Sequence, residues 1–267
     1  MLDLHPTIVR ALIAASLTAV SSAAIGVFTV QRKLSTAGAA IAHTSLAGAL
    51  IGYVLGLEPL LGALMLSVAY ALLVAYSGRR GRSMDVALGV SFGASAALAA
   101  LALSLSREYT TVAFTYLLGD VLGVSEDELL LLSSVTVTVT VLVALFYDLF
   151  KMITFDEEEA EAYGVNVALL SYLHVVLVAL VVVVELRIVG SILATVFLVA
   201  PAAAALEVAH SFEKAIAFSV AIALLSVLLG FLLSLLLDVP TSAVIGIIAS
   251  LAYLFAVIFS PKKTCCR

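Results

Sequence analysis

The chain has 267 residues, of which 64% are hydrophobic and 12% charged, with a net charge of −5 and a mean hydropathy of +1.24. A soluble domain carries about 25% charged residues, so this composition excludes a water-soluble globule and describes a polytopic membrane protein with polar loops. The acids cluster in loops, and no basic tract or aromatic platform points to nucleic acid.

Apolar length sets the spans, while charge, Pro and Gly set the breaks. A first span runs from about Ile8 to Val30 and ends at Gln31-Arg32-Lys33. Without a basic leader, and with an apolar run long enough to cross, it is a span rather than a signal peptide. The second runs from about Gly38 to Leu55 and ends at Gly56-Leu57-Glu58-Pro59. The third, about Leu60 to Tyr76, meets Arg79, Arg80 and Arg82; the fourth, about Met84 to Leu105, stops at Arg107-Glu108. Tyr109 to Gly123 is half-polar and too short to cross, which predicts a surface or re-entrant outer helix. The remaining spans are about Leu129 to Phe150, Val167 to Val184, Ile188 to Leu206, Ala215 to Leu237 and Ser242 to Phe259. The expectation is an all-α membrane protein of nine segments and one extra short helix, forming a single domain over residues 1–267.

Two stretches imitate strands: Thr136 to Val143 alternates Thr and Val, and Val175 to Val184 is rich in β-branched residues. A lone strand in lipid leaves its backbone unpaired, whereas a helix satisfies it internally, so both are predicted helical.

Orientation follows from the basic residues. Arg32-Lys33, Arg79-Arg80-Arg82, Lys151, Lys214 and Lys262-Lys263 fall on alternate breaks, which the positive-inside rule makes cytoplasmic. The opposite breaks hold Glu58, Arg107-Glu108, Asp120, Glu185-Arg187 and Asp238. Nine crossings then put the N-terminus outside and the C-terminus inside. The terminal pair Cys265-Cys266 is too close together to staple a fold.

Between the fifth and sixth spans, residues 151–166 carry five carboxylates within six positions. Such a run faces water, because each charge at mid-span costs roughly 3 kcal/mol. The pattern predicts a short helix capped by Thr154, with Asp156, Glu157, Glu158 and Glu159 in its first turn and Gly164 ending it. Phe155, Ala160 and Tyr163 form a small apolar edge. The segment is either a docking element for a soluble partner or a solvated connecting loop.

In the second span, Gly48, Gly52 and Gly56 recur every fourth residue, a stripe that admits a close helix neighbour. His43 lies about half a turn from that stripe, between the small Ala39 and Ala47. An ionisable group inside a span and off the packing face is a pathway candidate, and imidazole suits transition metals. A histidine bonded across helices is the alternative. His5 sits in the N-terminal tail, and His174 is a lone polar group in a valine-rich span. Glu207 and His210, one turn apart after Pro201, either receive a cation at the inner exit or solvate a helix end. Asp238, before Pro240, either attracts cations at an outer mouth or caps the next helix. No zinc-protease, nucleotide-binding or serine-elbow motif occurs, so the energy source lies on another chain or in an ion gradient.

Six stretches together resemble the permease subunits of prokaryotic ABC importers for zinc, manganese and iron. They are Ala42-His43-Thr44-Ser45-Leu46-Ala47-Gly48, Leu117-Leu118-Gly119-Asp120-Val121-Leu122-Gly123, Phe155-Asp156-Glu157-Glu158 with Ala162-Tyr163-Gly164-Val165-Asn166, Leu186-Arg187-Ile188-Val189-Gly190, Leu198-Val199-Ala200-Pro201-Ala202-Ala203, and Leu237-Asp238-Val239-Pro240. The resemblance implies a homodimeric permease of the vitamin B12-transporter type in a prokaryotic plasma membrane. It also implies a cytoplasmic ABC ATPase subunit that carries ATP, an extracellular metal-binding receptor, and a divalent metal ion as cargo. By the same resemblance, residues 151–166 are the segment that couples to the ATPase. Family members often carry Asp four residues before the motif histidine; here that position is Ala39, and Ala47 replaces the usual Pro. A permease of the same fold for a siderophore or corrinoid, and a gradient-driven carrier, are the competing readings. The carrier would want paired intramembrane carboxylates that the sequence does not offer.

Overall fold

The computed structural model describes residues 6–78, 84–104, 116 and 118–260. His5, the Arg79-Arg80-Arg82 and Arg107-Glu108 breaks, most of the predicted outer helix at 109–123, Lys262-Lys263 and Cys265-Cys266 lie outside the described residues. Within them the chain forms helices α1 (Pro6–Gln31), α2 (Ser35–Val54), α3 (Pro59–Gly78), α4 (Met84–Ser104) and α5 (Glu126–Leu145). Two short helices follow, α6 (Tyr147–Phe155) and α7 (Glu157–Ala162), then α8 (Val167–Val208), α9 (Phe212–Leu237) and α10 (Thr241–Phe259). Seven helices among the described residues are long and apolar enough to cross a membrane. Both strand-like stretches are helical, as expected for backbone in lipid.

Local chemistry sets the helix ends. Ser125 and Glu128 form a reciprocal capping box that starts α5. The α1–α2 turn is a Schellman motif, with Lys33 N–H donating to Val30 O and Leu34 N–H to Thr29 O around Lys33 at φ 59. Gly56 closes α2 in the same way, at φ 73, with Gly56 N–H on Tyr53 O and Leu57 N–H on Gly52 O.

The predicted fifth span is corrected at its C-terminal end. α5 stops at Leu145 and the chain turns at Phe146 into α6, so Tyr147 to Phe150 belong to a separate short helix.

The centre of the fold is α8, 42 residues long and broken at Gly190, where φ is 80 and ψ is 163. A continuous helix of that length would run about 63 Å, twice the hydrocarbon thickness. Side-chain contacts show that it instead folds back. Along the first limb, His174 meets Thr29 and Glu185 meets Ser21 and Ser22, so this limb climbs α1 towards its N-terminus. On the second limb, Leu198 packs on Gly26 and Gly38, and Leu206 returns to Gln31. The break therefore falls at Gly190, a few residues later than the Glu185-Leu186-Arg187 break read from charge. Only glycine occupies that φ/ψ region readily.

Small residues let α1 sit against both limbs: Ala11, Ala14, Ala15, Ala19 and Ala23 are buried. The rim is the reverse. Leu130, Leu145, Leu232, Leu236 and Phe259 point outward, where hydrocarbon is as apolar as they are.

Candidate functional site

The second span packs on α3, α4 and α8, the first two through different faces. On one face Gly48 and Gly52 receive α3: a Cβ on Gly52 would stand 3.1 Å from Gly62 Cα, and Gly48 abuts the Gly62 carbonyl directly. Ser45 and Ser67 share a 2.6 Å hydrogen bond on the same contact. Gly56 takes no part, since a Cβ there would meet nothing within 4 Å; it serves the turn. The other face meets α4, where the His43 ring stands edge-on to Phe92 at 4.9 Å and 88°. His43 is half-buried, Ala47 fully buried and Ala39 partly so.

His43 therefore lies away from the glycine contact, in a small-walled position, and among the described residues its ring nitrogens have no hydrogen-bond partner. A neutral imidazole there offers a lone pair to a divalent cation. It is one ligand only. No group of three or more His, Cys, Asp or Glu able to hold a metal forms among the described residues. A closed structural metal site, which takes four ligands, is thus not built by these residues.

The remaining pathway candidates sit at the two ends. Asp238 closes α9 with left-handed φ 52 and ψ 50, so it ends one helix rather than capping the next. With Asp120, Ser234, Thr241 and Ser242 it lines a cavity of about 240 Å³. Ser242 Oγ donates to Leu118 O at 2.5 Å, tying the loop after residue 118 to α10, and within that loop Asp120 accepts from Gly123 N–H at 2.9 Å. Beside this mouth Arg187 pairs with Glu128 at 2.5 Å, and Arg10 pairs with Glu126. At the opposite end, the Glu207 carbonyl oxygen accepts from Ser260, and exposed His210 places Nδ1 3.2 Å from Val208 O. The 26 residues of α9 separate Asp238 from His210 by about 39 Å.

The acidic segment is two helices with a corrected cap. Thr154 lies inside α6 and donates to Phe150 O at 2.6 Å; the cap of α7 is Asp156, which accepts from Glu159 N–H at 2.9 Å. Aspartate wins because it falls at the bend between the helices, where backbone ψ is 108 and the N3 amide lies within reach. Gly164 closes α7, with Gly164 N–H on Glu161 O and Val165 N–H on Ala160 O. Ala160 is buried against the bundle, while Glu158, Glu159 and Tyr163 face out, Tyr163 at 70% exposure. Glu157 pairs with Arg32 at 2.7 Å, and Phe155 meets Phe212 edge-on at 5.5 Å. Behind them, Glu213 accepts from Lys151 at 2.6 Å and from Tyr147 at 2.8 Å. The hydrogen bond to Glu213 lifts the Lys151 ammonium above its ordinary value, and burial followed by the same acceptor lifts the Tyr147 phenol. The outward carboxylates are thus carried on a fixed platform.

Two residues escaped the sequence reading. Glu185, assigned there to an outer break, is fully buried, and Ser21 and Ser22 donate to its two carboxyl oxygens at 2.8 and 2.7 Å. The signal was present: two adjacent serines in the middle of the first span predict a polar partner. Arg32, read only as a topology marker, is nearly buried and joins α1 to α7 and α8.

Over 255 residues the chain is 32% identical to the "Manganese transport system membrane protein MntC" of Listeria monocytogenes, covering 95% of this chain and 91% of that protein. It is 28% identical to the "Manganese import system permease protein ScaB" of Streptococcus parasanguinis, with the same coverage. Among solved structures, PsaBC from Streptococcus pneumoniae in complex with Fab superposes with a TM-score of 0.86 at 27% identity, covering 99% of this chain and 95% of that one. Residues 4–260 match the ABC 3 transport family, and the chain belongs to it.

Proposed function

We propose that this protein is the membrane permease subunit of an ATP-driven importer of a divalent transition metal, with manganese as the first candidate cargo. The observation that carries this reading is the end-to-end match to two manganese permeases, with His43 in a span and off the packing stripe. Separating the two limbs of α8 and adding α4 to the other candidate spans gives nine crossings. With the basic breaks inside, the N-terminus is outside and α7 faces the cytoplasm. Two copies assemble around the pathway, so that one His43 from each faces the passing ion. A receptor delivers metal at the Asp238 mouth, the ion passes His43, and it leaves past Glu207 and His210. Glu158, Glu159 and Tyr163 form the outward face on which an ABC ATPase docks, and Phe155, Asp156, Glu157, Ala160 and Gly164 hold that face in place. ATP is hydrolysed on that partner. A single weak ligand per chain suits passage, because an ion held too tightly in mid-pathway cannot leave.

The test is reconstitution in liposomes with the cognate ATPase and receptor, scoring ATP-dependent uptake of Mn(II), Zn(II) and Fe(II). Uptake of one of these ions is the expected result. Uptake of an iron chelate but of no free ion would transfer the reading to a chelate permease, and uptake without ATP would transfer it to a gradient-driven carrier.

A further inference from the structure

We infer that the cavity beneath the α1–α2 turn, around Arg32, is a binding site for a phosphate group. It measures about 330 Å³, at the lower end of the roughly 300–1,000 Å³ typical of small-molecule sites, and is lined by Gln31, Arg32, Lys33, Glu157 and Ser171 with an apolar wall from α3, α6 and α8. The Arg32 side chain is 9% exposed. Both of its hydrogen bonds, to Glu157 at 2.7 Å and Ser171 at 2.8 Å, leave from Nη2. Nη1 is buried without a partner among the described residues. A guanidinium is a planar fork matched to two oxygens of one oxyanion, and here a carboxylate takes only one arm of it.

The neighbours complete the site. Ser171 Oγ accepts from Arg32, which leaves its own O–H to donate. Lys33 borders the cavity and forms no ion pair among the described residues. Two cations face one carboxylate, so a single negative charge neutralises the cavity. That charge is the one carried by the phosphodiester of an acidic phospholipid; free phosphate supplies the same oxygens with up to twice the charge. The position, at the end of a span beside basic residues, is where headgroup phosphates lie.

The experiment uses the full chain in a neutral sugar detergent, with thermal unfolding followed during titration of short-chain phosphatidylglycerol, short-chain phosphatidylcholine or inorganic phosphate. Native mass spectrometry of the same sample counts phospholipid retained through purification. Arg32→Gln also removes the contacts to Glu157 and Ser171 and is open to misfolding. Lys33→Asn is the second variant, since asparagine tolerates the left-handed turn and removes the ammonium while leaving Arg32 and its contacts in place. Retained or added phosphatidylglycerol bound about tenfold more weakly by Lys33→Asn assigns the site to a lipid headgroup. The same pattern with inorganic phosphate, and equal indifference to both lipids, assigns it to free phosphate. Absence of any bound or stabilising phosphate compound, or binding unchanged in Lys33→Asn, overturns the proposal.

Discussion

Gly119 and Gly190 meet backbone against backbone: a Cβ added to Gly119 would lie 2.6 Å from Gly190 N. Both residues have φ near 80, and the contact pins the loop after residue 118 onto the hinge of the α8 hairpin. Gly190→Ala and Gly119→Ala are each expected to lower stability by about 1–3 kcal/mol, the scale of a non-glycine residue forced into such a region. Thermal unfolding in detergent measures this. Wild-type stability of Gly190→Ala would mean that the two limbs of α8 do not depend on this hinge.

The α2–α3 contact makes a second prediction by contrast. Gly48 and Gly52 have no room for a side chain against Gly62, whereas a Cβ on Gly89 or Gly93 of α4 would meet nothing within 4 Å. Gly52→Leu is expected to cost about 1–3 kcal/mol of overpacking and to destabilise the monomer itself. Gly93→Ala is expected to leave monomer stability unchanged or raise it by up to about 1 kcal/mol, the helix-propensity difference. Well-folded Gly52→Leu monomers that had lost only dimerisation would move the glycine stripe from the protomer core to the interface.

The outward residues of α7 carry the coupling prediction. Glu159 and Tyr163 face solvent, and neither side chain holds α7 to the bundle; that contact belongs to Ala160, Phe155 and the Arg32–Glu157 pair. Glu159→Lys with Tyr163→Ala is expected to change stability by no more than about 0.5 kcal/mol, the usual range for surface substitutions. It is also expected to abolish ATP-driven uptake. Normal ATPase stimulation by the double variant would remove this segment from the docking face.

The Lys151–Glu213–Tyr147 cluster makes alkaline stability depend on pH. Lys151 holds its proton above an ordinary 10.5 and Tyr147 above an ordinary 10.0, so the folded state binds protons more tightly than the unfolded one. Their stabilising effect is complete below about pH 10 and is lost as pH rises through the folded values. Wild type should therefore outlast Lys151→Gln by a constant margin between about pH 6 and pH 10, with the margin shrinking above it. A margin that grew with pH would refute the assignment.

Much of this architecture was legible because lipid imposes it. The apolar runs had to be helices, and the acid-rich segment had to lie outside them, whatever the local propensity. What charge and length misplaced were events governed by single contacts. Asp156 outcompeted Thr154 as the α7 cap because of a bend at one residue, and the hairpin hinge fell at Gly190 because of its φ/ψ rather than at the charged Glu185 and Arg187. Glu185 read as a loop residue because its two serine partners lie more than 160 positions away. The candidates His43, Asp238 and His210 were legible as polar residues near or within spans, but the separation of Asp238 from His210 required the length of α9.

His43 makes the last prediction. The structure keeps it clear of the glycine contact and sets its ring perpendicular to that of Phe92, 4.9 Å between centroids. With Ala39 one turn before it rather than an acidic residue, His43 joins no cluster of three or more candidate ligands among the described residues, whereas lasting zinc sites use three or four. Removing that ligand should therefore act on the passing ion and leave the fold alone. His43→Ala is expected to reduce metal uptake in proteoliposomes by at least about tenfold, since even outer-shell changes cost about 10–100-fold in affinity. Assembly with the ATPase, and thermal unfolding, should match wild type. Ala39→Asp places a carboxylate one turn away on the same helical face and is expected to tighten metal binding and slow release. Wild-type uptake by His43→Ala would make this histidine a packing partner of Phe92 and nothing more. A fall in both uptake and stability would likewise assign it to packing, because a residue that only met the cargo would leave the melting temperature where it was.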